Sequence, residues 1–93
     1  MITLTSSNES TVELYPADGG QFFMDLNGNF NSGSVAVLIS VDGGTNYSPL
    51  TTAVGTDLSV TADYNAVVTL PGDSIVKFDA TSVTSVKIQL NKI

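Results

Sequence analysis

Ser34-Val35-Ala36-Val37-Leu38-Ile39-Ser40-Val41, running into Asp42-Gly43-Gly44-Thr45-Asn46, is the stretch that decides the fold. Successive side chains of an extended chain point to opposite sides. Val35, Val37, Ile39 and Val41 therefore share one face, and Ala36, Leu38 and Ser40 share the other. Both faces are apolar enough to be covered, which predicts a central strand. The glycines after it can take the positive φ of a hairpin, so Asp42, Gly43 and Gly44 read as a structural turn with Asp or Asn capping the local backbone.

Working outward, the same period of two recurs and no helical period does. Phe22, Met24 and Leu26 alternate with Asp25 and Asn27; Tyr64, Ala66, Val68 and Leu70 alternate with Asn65, Val67 and Thr69. Pro71-Gly72-Asp73 reads as a second hairpin turn, followed by a return strand burying Val76, Phe78 and Ala80 and exposing Lys77 and Asp79. The last strand buries Val86, Ile88 and Leu90. Ile2 with Leu4, Val12 with Leu14, and Leu58 with Val60 suggest further short strands. The expected fold is all-β: a single small antiparallel β-sandwich or jelly-roll-like barrel of about seven or eight strands, with residues 1–93 as one domain.

Composition narrows the chemistry. A chain of 93 residues with 42% hydrophobic and 13% charged residues folds rather than staying disordered, yet its core is small. It contains no Cys and no His, which removes disulfides, the usual zinc ligands and the familiar catalytic dyads and triads. Lys77, Lys87 and Lys92 read as solvated charges, and a carboxylate pair for glycoside hydrolysis would lack a cleft. No enzyme, cofactor or metal is expected. With a net charge of −6 and three lysines as its only basic side chains, the chain is not expected to bind nucleic acid. The longest apolar run, Val35 to Ile39, is too short to span a bilayer, and neither terminus reads as a signal segment, so no membrane partner is expected.

Three binding readings stand beside these exclusions. Oxygen ligands in Asp42-Gly43-Gly44-Thr45-Asn46, or in Asp18-Gly19-Gly20, suit calcium, although a capped turn explains both. A sugar platform would need aromatics at the surface, for which Phe23, Phe30, Tyr15, Tyr47 and Tyr64 are available. Phe23, next to inward-facing Phe22, points away from the core face, into either a second buried layer or an interface with another chain.

The segment from Gly33 to Leu50, with its hydrophobic strand, Ser-x-Asp-Gly-Gly-Thr turn and aromatic Tyr47, resembles small β-sandwich structural proteins of tailed bacteriophages. The resemblance continues through Tyr64–Gly72, Val76–Phe78 and the closing strand to Leu90, covering about Phe22 to Ile93. Tyr47 stands where those proteins often carry Trp, and Lys77 where they often carry Arg. The resemblance implies a capsid decoration (cement) protein, made in the host bacterial cytoplasm, located on the virion exterior and bound to the major capsid protein as a homo-oligomer, with a trimer as the expected state. A tail or fibre module recognising a host-surface glycan is the alternative. The unmatched segment from Met1 to Tyr15 is the expected contact region, with Ile2, Leu4, Tyr15 and outward Phe23 as contact residues, so that removing Met1 to Ser10 is expected to weaken binding more than folding.

Overall fold

The computed structural model describes residues 2–6, 8–14, 19–51 and 57–93. Among these described residues nine strands follow one another: β1 (Ile2–Ser6), β2 (Glu9–Leu14), β3 (Gly20–Asn29), β4 (Ser34–Ser40), β5 (Ser48–Pro49), β6 (Ser59–Val60), β7 (Tyr64–Leu70), β8 (Ser74–Thr81) and β9 (Val83–Lys92). They form two antiparallel sheets, one ordered β1-β9-β3-β7 and the other β2-β8-β4-β5, with β6 also paired to β4. The all-β expectation holds, and the two-residue strands β5 and β6 take the count to nine.

The pairing has a simple generator. β1 pairs β9, β2 pairs β8, β3 pairs β7, and β4 pairs β5 and β6. This is one long antiparallel ribbon closed at the β4–β5 turn and rolled up, so that β3 meets β9 and β4 meets β8 along the seams. That strand order is a jelly roll. Rolling sends the chain from one sheet to the other at most connections, which corrects one expectation. Pro71-Gly72-Asp73 is not a hairpin turn: β7 belongs to one sheet and β8 to the other, and the turn carries the chain across the sandwich edge. Ser74 Oγ, buried at this corner, donates to the Pro71 carbonyl at 2.6 Å.

Between the sheets lies one core. Phe22, Met24, Leu26, Val86 and Ile88 pack from the first sheet, and Val35, Val37, Val76, Phe78 and Ala80 from the second. Each set occupies alternate positions of its strand, as the period of two requires. Phe30, read as a surface aromatic, is instead buried between the sheets, because β3 ends at Asn29 and the turn tucks the ring inward. Val41, read as an inward residue, is exposed, because β4 ends at Ser40 and the next residues belong to the turn.

Candidate partner-contact surface

The N-terminal segment is part of the sandwich rather than an appendage. β1 and β2 are the outer strands of the two sheets, and Leu4 is wholly buried in the core. Leu4 is thereby corrected from contact residue to core residue, since a side chain sealed between two sheets offers nothing to a partner. Ile2 is half-buried against the same core. Removing Met1 to Ser10 would take away β1 and the start of β2, so the expectation that the fold tolerates this deletion is corrected as well. Tyr15 and Asp18 lie outside the described residues.

The Asp42-Gly43-Gly44 turn is built from its own side chains. Gly43 and Gly44 have φ of 76° and 91°, a region that glycine enters without a Cβ penalty. Ser40 Oγ donates to Asp42 Oδ1 at 2.7 Å and accepts the Gly44 N–H at 2.9 Å. Asp42 Oδ1 also accepts the Asn46 N–H at 3.0 Å, and Oδ2 accepts from Asn46 Nδ2 at 2.9 Å. These donors stabilise the carboxylate, with the Asn46 backbone N–H foremost, and hold Asp42 at about 2. Both carboxylate oxygens are thus engaged within the turn, and no group of three or more metal-ligating side chains exists among the described residues.

This turn folds onto the outer side of the β2-β8-β4-β5 sheet. Tyr47 lies over Lys77, whose Nζ is 4.6 Å from the ring centroid, and the same Nζ bonds Glu9 Oε2 at 2.9 Å. Glu9 is the main reason that the Lys77 ammonium is held above its ordinary value. Lys77 is therefore a pinned cation beneath an aromatic lid, not a freely solvated charge. Leu38 stands across from Lys77 and Ser40 across from Ile75, so the turn covers an outward surface that would otherwise be partly apolar. The sequence showed each of these residues but not their meeting, since Glu9, Tyr47 and Lys77 come from three distant parts of the chain.

Among the described residues, the outer side of the other sheet leaves apolar side chains exposed. Phe23, 40% exposed, is paired directly with Val67, 55% exposed, in the β3–β7 register. Ile93, whose N–H donates to the Gln21 carbonyl at 3.0 Å, lies beside β3 and is also largely exposed. Of Ile2, Leu4 and Phe23, the contact residues read from the sequence that are described, Phe23 alone stands at this surface. Val67 was passed over because a valine in an alternating strand gives no sign of facing solvent at a sheet edge.

A polar depression of about 560 Å³ lies at one end of the sandwich, where the β3–β4 turn meets the start of β7. Asn29, Asn31, Ser32, Thr61 and Asp63 line it. Asp63 Oδ1 accepts the Gly28 N–H at 3.1 Å, and Asn29 Oδ1 accepts the Asn31 N–H at 3.0 Å. Among the described residues no row of exposed aromatics accompanies it: Phe30 is buried, and Tyr47 and Tyr64 are half-buried. Among the described residues, no helix is long and apolar enough to cross a membrane. No protein-family model matches the chain, and no curated protein or solved structure matches it either.

Proposed function

We propose that the chain is a non-enzymatic structural protein of a tailed-phage virion, decorating the capsid exterior and stabilising the shell through contacts with the major capsid protein. The observation that carries this reading is the rolled strand order. Jelly rolls are building blocks of virus shells and of lectins, and the argument from that architecture is one of fold analogy. It is joined by the resemblance of the Gly33–Leu50 segment to phage structural proteins. The surface supports a binding role in kind: a 9.7 kDa domain with neither disulfide nor His/Cys metal site carries exposed Phe23 and Val67 on one sheet.

A cement protein gains affinity by touching several shell subunits at once, whose spacing exists only in the assembled lattice. The protein is therefore expected to bind assembled shells in preference to isolated capsid subunits, and particles lacking it are expected to release DNA at lower temperature. Equal heat resistance with and without the protein would remove the cementing role.

The polar depression supports a second reading, a tail or fibre module for a host-surface glycan. Its Asn, Ser, Thr and Asp side chains offer the hydrogen-bonding groups that sugar hydroxyls need. Binding on a glycan array that is lost in Asp63→Ala would favour that reading over the decorating one.

A further inference from the structure

We propose that the chain forms a two-fold dimer in which β7 pairs with β7 of a second copy, antiparallel and centred on Val67. An outer strand presents unpaired N–H and C=O groups and is a template for another strand, so folds usually blunt it. Three of the four sheet edges here are blunted. β1 has an irregular register between Leu4 and Ser6; β2 carries the charged Glu9; β5 is two residues long and contains Pro49. β7 has none of these devices. It runs regularly for seven residues, Tyr-Asn-Ala-Val-Val-Thr-Leu, without a charge or a proline, and among the described residues it has no strand on its outer side.

The occupant follows from the sequence of β7 itself. With the dyad at Val67, Asn65 faces Thr69 of the second copy on the outer side and Val67 faces its own counterpart. On the inner side Ala66 faces Val68, and Tyr64 faces Leu70. Every polar residue meets a polar one and every apolar residue an apolar one, with no like charges opposed, so the strand is its own complement. The outer side then carries Phe23, Val67 and their two counterparts on four successive strands. This joins two exposed patches into one ribbon. On the inner side, half-buried Tyr64, Ala66 and Val68 border a groove of about 410 Å³ with Leu50 and Leu58, which the second copy would cover. A two-fold pairing uses one self-complementary patch, whereas the trimer implied by the phage resemblance would join two different patches, and the pairing stands independently of the decorating role.

Sedimentation of the full chain over a range of concentrations tests this. The expected particle has twice the 9.7 kDa chain mass, dissociating on dilution. Val67→Lys, which sets two ammonium groups at the dyad, is expected to weaken dimerisation at least about tenfold, whereas Val67→Thr and Thr3→Lys on the opposite edge retain it. The chain has no Cys, so Val67→Cys gives a second readout: under mild oxidation it is expected to form a disulfide-linked dimer, and Thr3→Cys is not. A monomer at every concentration, a trimer, or a dimer lost in Thr3→Lys but kept in Val67→Lys would overturn the proposal. Should Val67→Lys fail to fold, cross-linking decides, and equal linkage through Thr3→Cys and Val67→Cys would refute it.

Discussion

The outer side of the β2-β8-β4-β5 sheet holds Lys77 bound to Glu9 beneath Tyr47, whereas the outer side of the β1-β9-β3-β7 sheet leaves Phe23 and Val67 facing solvent. The edges differ in the same sense. Glu9 and Pro49 guard the first sheet, and β7 of the second is long and uncharged. One sheet is finished by contacts within the chain, and the other leaves apolar side chains in solvent that the proposed pairing would cover. In a domain too small to bury much of its surface, the place where polar guards are missing is where a partner contributes most.

The comparison can be broken most forcefully on β3, where one residue faces each side. Phe22→Ala is expected to cost about 3–5 kcal/mol, because Phe22 is buried and its removal opens a cavity. Phe23→Ala is expected to cost less than about 1 kcal/mol in the monomer, since that ring is 40% exposed. Denaturant unfolding at low concentration measures both. Equal losses would mean that Phe23 belongs to the core and that the bare face is illusory. Leu4→Ala is expected to cost about 2–5 kcal/mol by the same reasoning, and a neutral result would return Leu4 to the list of contact residues.

Sharpening the comparison on the closed sheet requires smaller changes. Asp42→Ala removes the acceptor for Ser40 and Asn46 and is expected to lower Tm by less than Leu4→Ala does. Its pH dependence carries the signature. The folded-state value is lowered to about 2 from 3.8, so the carboxylate stabilises the fold fully above the unfolded value, and the benefit is lost as pH falls through about 2. The Tm gap between wild type and Asp42→Ala is therefore expected to be constant near neutrality and to close between about pH 4 and pH 2. A gap independent of pH in that window would show that the carboxylate charge is not what holds the turn. Glu9→Gln is expected to have the smallest effect, a slight loss of Tm that 1 M salt abolishes, because a solvent-exposed ion pair is weak and screened.

Much of this was legible in the chain. Alternation in Phe22–Leu26, Val35–Ile39, Val76–Ala80 and Val86–Leu90 identified inward residues that the core contains, because burial on one side of a strand imposes a period of two. The Asp42-Gly43-Gly44 turn was legible because its partners, Ser40 and Asn46, are local. Pro71-Gly72-Asp73 was misread, since alternation is the same whether the next strand pairs alongside or crosses to the opposite sheet. Leu4 was misread because a short strand far in sequence from its partner β9 gives no local sign of being an integral edge. Of the exposed face only outward Phe23 was read, for a related reason: Phe23 and Val67 are opposed only through β3–β7 pairing, which no local pattern reports.

Amide hydrogen exchange at low and high protein concentration tests the asymmetry between the sheets most directly. Tyr64–Leu70 of β7 is expected to gain protection as concentration rises, while Glu9–Leu14 of β2 and the turn after Ser40 stay unchanged. Protection that rises in β2 or in that turn, or exchange in β7 that ignores concentration, would contradict the account.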